Sequence, residues 1–249
     1  MKFKLFLLFP IITMFYGCAY SVATKVEPAV NIYSSYDDKI PGSVILVMDN
    51  DVKSISQSVK ASSYVCSAHN FPVNMGDSLA LSIRKTTEQL FETVLEENSF
   101  PSEERMAATN SRGIIYVKLD RFSPRINFAM GFWSASANAS ADLVLDVTVK
   151  DAHNKKLMVT AISGSRTADG SGGGNCSGGA NVLSEAISQT VRDAMERYAE
   201  RLANSEKIRV AFSKPSESVP ANVENVADQK EDAHIENAID QKEHAAVKK

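Results

Sequence analysis

The side chains best suited to covalent or metal chemistry are three cysteines, Cys18, Cys66 and Cys176, and four histidines, His69, His153, His234 and His244. One thiol and one imidazole lie close in sequence, in Cys66-Ser67-Ala68-His69, which supplies at best half of a zinc site. Nucleophilic catalysis needs a serine or cysteine on a strand-to-helix elbow, with a histidine and an acid to orient it. No such Gly-x-Ser-x-Gly elbow stands outside the glycine run, and Asp120, Asp142, Asp146 and Asp151 read as ordinary surface carboxylates. The run itself, SGGGNCSGGA over 171–180, sits between a strand pattern and a helix N-terminus, where anions bind readily. It lacks the lysine that a phosphate-binding loop places on its ligand, so it reads as a flexible connector. No catalytic residue, metal or cofactor is expected, and the chain is read as a non-enzyme.

The remaining concentration of reactive surface is aromatic. The stretch SPRINFAMGFWSASA carries Phe128, Phe132 and Trp133, the single tryptophan, with Phe122 just before it. Alternate residues of a strand pair would send these rings into a core; an exposed arrangement would form an apolar patch for lipid or a protein partner. Phe128, Phe132 and Trp133 are therefore the candidate interaction residues.

The N-terminus, MKFKLFLLFPIITMFYGCAYS, has two lysines, a short apolar run and then Gly17-Cys18. The apolar run is shorter than the roughly 20 residues that span a bilayer, and it ends at a small residue, as a secretory signal does. Phe15-Tyr16-Gly17-Cys18 resembles the lipobox of bacterial lipoproteins, whose cysteine is acylated after cleavage. The resemblance implies a signal peptide over 1–17, lipidation of Cys18 and attachment to a membrane through palmitate-type chains. Ala19 follows where an aspartate would imply inner-membrane retention, so the resemblance further implies the outer membrane, facing the periplasm. With Cys18 assigned to lipid, Cys66 and Cys176 remain, and export to an oxidising compartment favours a bridge between them over two buried thiols. Closing the loop of about 110 residues between them stabilises by about 4–5 kcal/mol in the chain-entropy model.

The elements that must position these groups are legible in part. The region 18–41 carries two prolines among polar residues and no period, which suits a tether. Val44–Met48 is a continuous apolar run bounded by Gly42 and Asp49-Asn50-Asp51, the mark of a buried strand. Leu79, Ile83, Leu90 and Val94 share one helical face, which predicts a first long helix capped by Asn74 and ending before Phe100-Pro101. A strand is expected over 113–122, another beginning between Ile126 and Trp133, and then a hairpin in which Leu143, Leu145, Val147 and Val149 alternate. A second long helix over 181–203 places Leu183, Ile187, Val191, Met195, Tyr198 and Leu202 on one stripe.

The fold class read from this is α+β: an antiparallel sheet of about four to five strands with two long amphipathic helices on one face, over 42–205. The order of elements from Val44 to Ala203 resembles the small domains of the lipopolysaccharide-assembly and YajG-like outer-membrane lipoproteins. The region 206–249 is an acidic tail with a two-copy 12-residue repeat, VENVADQKEDAH and IENAIDQKEHAA, too few copies for a solenoid and suited to a solvated extension. A net charge of −3 with no basic stripe excludes nucleic acid as an expected partner. The function expected is a membrane-anchored, periplasm-facing lipoprotein with a scaffolding or accessory role in an envelope complex. The alternative is an accessory factor for lipid or lipopolysaccharide transport that uses the aromatic segment. No pattern in the chain encodes an oligomeric state.

Overall fold

The computed structural model describes residues 18–131 and 135–213. The chain divides into two units, Met1–Ser216 and Glu217–Lys249, and the described residues all belong to the first. The expected signal peptide, most of the expected acidic tail, Phe132 and Trp133 lie outside the described residues.

The elements in chain order are β1 (Ile40–Met48), α1 (Asn50–Lys53), β2 (Ser56–Lys60), β3 (Asn70–Asn74), α2 (Gly76–Leu90), β4 (Phe91–Glu97), α3 (Glu103–Ala108), β5 (Ser111–Met130), β6 (Ala135–Asp151), β7 (Lys156–Gly173), α4 (Gly178–Ala203) and α5 (Glu206–Ser213). Five strands form one sheet in the order β4-β1-β5-β6-β7, and β2 pairs with β3 in a separate two-stranded sheet. The main sheet is mixed, which corrects the antiparallel expectation. β1 runs parallel to both its neighbours, β4 and β5, whereas β5, β6 and β7 are antiparallel. The unbroken apolar run of β1 has this cause. Val44, Leu46 and Met48 enter the main core, while Ile45 and Val47 enter a smaller one with Met106 and Ile114 on the opposite face. A strand buried on both faces has no polar side to alternate with.

The first helix is also shorter than its periodicity predicts. α2 ends at Leu90, and Phe91 turns directly into β4, whose residues pair with β1 from Ile40 to Val47. The free edge of a buried strand attracts an extended partner, and Thr93 and Val94 are β-branched residues suited to it. Asn74 ends β3 instead of capping the helix; Met75 stands at the N-cap without a side-chain bond. The two strands expected around 113–133 are one 20-residue strand, β5, with a register shift between Leu119 and Arg121. Pro124 is tolerated there because β1 pairs only as far as Val117, so the proline lies on an unpaired edge.

α4 covers β6 and β7 with the stripe expected from the sequence: Leu183, Ile187, Val191, Met195, Tyr198 and Leu202 are all buried. Opposite them Ala135 to Val149 present every second residue of β6 to the core, the alanines at one end and Leu143, Leu145, Val147 and Val149 at the other. The other face of β6 is polar, with Ser136, Asn138 and Asp146 exposed. α2 meets α4 through a buried hydrogen bond of 2.9 Å between the hydroxyls of Thr87 and Tyr198. Burial pushes the Tyr198 phenol well above its ordinary pKa, so it remains neutral in the core. The folded unit continues past residue 205: α5 buries Ile208 and Phe212, and Arg112 donates from Nη1 to the Phe212 carbonyl at 2.6 Å.

The glycine-rich region is not slack. β7 extends through it to Gly173, and α4 begins at Gly178. A Cβ on Gly164 would stand 2.2 Å from the Thr190 carbonyl oxygen of α4, and one on Gly179 would stand 2.3 Å from the Phe128 ring. Gly164 lets the helix and strand backbones touch, and Gly179 makes room for the Phe128 ring. Gly164→Ala should therefore lower stability by about 1–3 kcal/mol, as overpacking does. Gly174→Ala, where nothing lies within 4 Å, should leave the urea midpoint unchanged or slightly raised.

Candidate functional site

The residues 18–41 do not form a free tether. Tyr20 and Val22 donate their backbone N–H groups to the Asn70 and Pro72 carbonyls at 2.9 and 3.0 Å, and Asn70 donates to the Cys18 carbonyl at 3.3 Å. The first described residues thus run parallel to β3 and add an edge to the small sheet. Beyond Val22 the chain becomes a strap over α2 and α4. Glu27 and Ala29 donate their N–H groups to the hydroxyls of Ser82 and Thr86 at 2.8 and 3.0 Å. Those two hydroxyls lie one helical turn apart on one face of α2, and each also donates to the carbonyl four residues back.

α4 holds the strap from the other side. Ser184 donates to the Ala23 carbonyl. Arg192 Nη2 donates to Glu27 Oε2 at 2.6 Å, which raises the Arg192 pKa further, the hydrogen bond being the largest cause. Asn204 accepts from the Ser35 N–H at 2.8 Å and donates to the Tyr33 carbonyl at 2.7 Å. Val22 and Ala29 are buried beneath this strap. A segment whose apolar residues follow no period and whose polar ones bond helix side chains looks like a linker in sequence.

Cys18 is exposed and carries a free thiol. Close by, Cys66 and Cys176 are joined in a disulfide with their Cα atoms 5.9 Å apart. Both cysteines have left-handed backbones, at φ 64° and 67°. Such a conformation costs a non-glycine residue about 1–2 kcal/mol, so these turns depend on their surroundings to hold them. The bridge removes the Cys66 thiolate as a ligand, and His69 instead packs its ring against Tyr20 at 5.3 Å. Among the described residues no group of three His, Cys, Asp or Glu side chains is placed to hold a metal ion.

An aromatic chain links the bridge to the sheet. The Tyr20 hydroxyl donates to the Asn175 carbonyl at 2.8 Å, its ring leans on Phe71 at 6.0 Å, and Phe71 stacks on Phe128 at 5.7 Å. Phe128, a candidate interaction residue, is only 3% exposed. It belongs to the core because the odd-numbered face of β6, with which it pairs at Ala137, is the face that α4 covers. The exposed apolar side chains at this end are Tyr64, at 96%, and Met130, at 77%. Neither was marked by the sequence. Tyr64 lies in a turn without periodicity, and Met130 shares the face of the buried Phe128 but is exposed at the last position of β5.

On the opposite side of β1, Tyr116 donates its hydroxyl to Asp49 Oδ2 at 2.7 Å. That bond, with burial adding to it, pushes the Tyr116 phenol up to about 12. The same bond holds the Asp49 carboxyl below its ordinary value, against a smaller opposing effect of desolvation. Asp49 also caps α1 by accepting from the Asp51 N–H at 3.4 Å. A phenol held protonated and a carboxylate already committed to two donors are poor general bases. Beside them an open cavity of about 190 Å³ is lined by Phe100, Met106, Ile114 and Lys150, with the Lys150 ammonium 5.0 Å from the Phe100 ring. Among the described residues no helix is long and apolar enough to cross a membrane.

No family model matches the sequence, and no curated protein matches it. Solved structures resemble it in fold at low identity. A DUF330-family protein from Xanthomonas campestris is 12% identical over 77% of this chain and 96% of its own, with a TM-score of 0.45. A neuraminyllactose-binding hemagglutinin homolog from Helicobacter pylori is 10% identical over 76% and 91%, with a TM-score of 0.39. A minor lipoprotein from Acinetobacter baumannii is 10% identical over 67% and 91%, with a TM-score of 0.29.

The geometry of the bridge and of the tyrosine pair leads to two measurements. Replacing both Cys66 and Cys176 by alanine should lower unfolding free energy by about 3–5 kcal/mol, read from chemical denaturation without reductant. The Tyr116–Asp49 bond should contribute stability that is lost at both extremes of pH. Because the folded phenol titrates above the unfolded one, that contribution fades between about pH 10 and 12. Because the folded carboxyl titrates below the unfolded one, it fades again as pH falls below about 4. Tyr116→Phe should flatten both limbs of the stability profile.

Proposed function

We propose that this protein is a lipid-anchored, non-enzymatic component of a bacterial cell envelope, attached through acyl chains on Cys18 and acting as a scaffold or accessory subunit of an envelope complex. The observation that carries this reading is the placement of Cys18. The residue that completes the lipobox-like sequence is exposed, and its carbonyl accepts from Asn70 at the start of the strap. Cleavage before it would leave the strap and its bonds to α2 and α4 untouched. The disulfide supports export, since such bridges persist in oxidising compartments. Ala19, in the position after the lipidated cysteine, supports outer-membrane sorting on the periplasmic side.

A scaffold accords with what the domain offers. Its polar side chains of perturbed pKa are spent on fixing its own elements, and the solvent-facing side of β6 and β7 is a broad polar surface with Asn138 bonded to Asp169 across the strands at 2.6 Å. A lipid carrier, by contrast, needs a hollow between layers. Here α4 lies against the backbone of β7 at Gly164, and Phe128 fills the space beside Gly179. The scaffold reading is therefore preferred to transport.

Cells expressing the full chain and supplied with labelled palmitate should incorporate label, and Cys18→Ala should abolish it and move the protein out of the membrane fraction. Affinity purification from solubilised membranes should recover a stoichiometric protein partner. An unlabelled wild-type protein would overturn the anchor, and a labelled protein with no partner would overturn the scaffold.

A further inference from the structure

The strap lies in a groove built from two ladders of polar side chains. On α2, Ser78, Ser82 and Thr86 recur every four residues. Thr24 Oγ1 stands 3.1 Å from Ser78 Oγ, and Ser82 and Thr86 accept from the Glu27 and Ala29 N–H groups. On α4 the spacing is repeated by Ser184, Ser188, Arg192 and Glu196. Ser184 bonds Ala23, Arg192 bonds Glu27, and Asn31 Nδ2 donates to Glu196 Oε1 at 3.5 Å. Four helical residues rise about 6 Å and two extended ones about 6.6 Å. An extended chain therefore keeps step with the α2 ladder at every second residue, and Ser82 and Thr86 take its backbone rather than its side chains.

One rung of this groove is idle. Ser188 is 4% exposed and its Oγ has no hydrogen-bond partner among the described residues, although Ser184 and Arg192 on either side of it both bond the strap. A buried hydroxyl left without a partner costs free energy, so the strap does not use all that the groove offers. Its hold is also light. Between 23 and 36 only Glu27 and Ala29 are buried, while Val30 and Tyr33 are 68% and 72% exposed. Segments with so few buried apolar contacts open at lower free energy than the whole domain. The two ends are fixed independently, by the pairing of Tyr20 and Val22 with β3 and of Ile40 with β4.

We infer that the groove between α2 and α4 is a peptide-binding site, which the strap occupies at rest and gives up to an extended acidic segment of a partner protein. The inference rests on the scaffold reading and deepens it by assigning the surface where the partner enters. Its occupant is an extended chain, because Ser82 and Thr86 accept backbone N–H groups two residues apart; a lipid chain has none to give. It carries a carboxylate for Arg192, where Glu27 now sits, and a small side chain two residues later, where Ala29 is 2% exposed. It also brings Ser188 the polar partner that the strap does not supply.

The probe is a labelled peptide of residues 23–36, added to the acylated full chain in detergent. Glu27→Lys in the full chain reverses the charge that Arg192 holds, so its own strap becomes the weaker competitor, and it should bind the peptide about tenfold more tightly than wild type. Arg192→Glu should lose that binding and recover it with a peptide that itself carries Glu27→Lys. Both variants should keep the wild-type circular dichroism. If either misfolds, hydrogen exchange of the wild type decides, and 23–36 should exchange about tenfold faster than α4. Equal exchange rates, a folded Glu27→Lys chain that takes no peptide, or binding indifferent to the charge at 192 would each overturn the inference. Affinity purification separates it from the reading beneath it. Arg192→Glu should lose the partner that wild type recovers; a partner held equally by both would overturn the groove as its seat and leave the scaffold standing. Wild type that recovers no partner would overturn the scaffold, and the inference with it.

Discussion

Backbone contact between α4 and β7 is the constraint from which the rest of this fold follows. It exists because Gly164 has no side chain, so that Thr190 and Ala194 of the helix can sit directly on the strand. At that distance the stripe from Leu183 to Leu202 reaches the core-facing residues of β6, which in turn can be as small as alanine along half of the strand. The start of the helix is drawn down as well, with Gly179 against Phe128. Cys176 is thereby brought within reach of Cys66, and the outer side of the helix is left as the bed on which the strap lies.

Function, in this reading, comes from how the domain is held. Several polar groups are engaged in attachment: Ser82, Thr86, Ser184, Arg192 and Asn204 all bond the strap. Asp49 and Tyr116 likewise join a helix cap to β5. The result is a segment bonded to the domain from Cys18 onward to Ser35, so that whatever is attached at Cys18 is attached to the domain. Under the proposed anchoring, orientation at a membrane would be set by the small sheet and the bridge.

Local pattern was sufficient wherever burial follows one period. The stripe of α4, the alternation of β6 and the apolar run of β1 each name their buried residues correctly, because a helix or strand that covers one core repeats its apolar positions at its own spacing. The candidate site was less legible. The cysteine pair could be argued from its number and compartment, but Phe128 read as a possible contact residue and is core. Tyr64 had no period to betray it, and the period of β5 would bury Met130, which is exposed at the end of the strand. Glycine was misread for a related reason: the same residue serves a loose loop and a close backbone contact, and only a neighbour distant in sequence distinguishes them.

The sequence by itself determined the kind of elements present, the buried stripes, the two cysteines left to pair and the lipobox-like segment ahead of Cys18. These depend on residue type and short spacing, which a linear chain displays in full. Tertiary structure alone decided that Phe91–Glu97 is a strand, since the free edge of β1 outweighed helical periodicity. It also decided that 18–41 is a strap and that the glycines are a seat for a helix. Each of those outcomes is a contact between segments far apart in the chain, and no local preference records where such a partner will be.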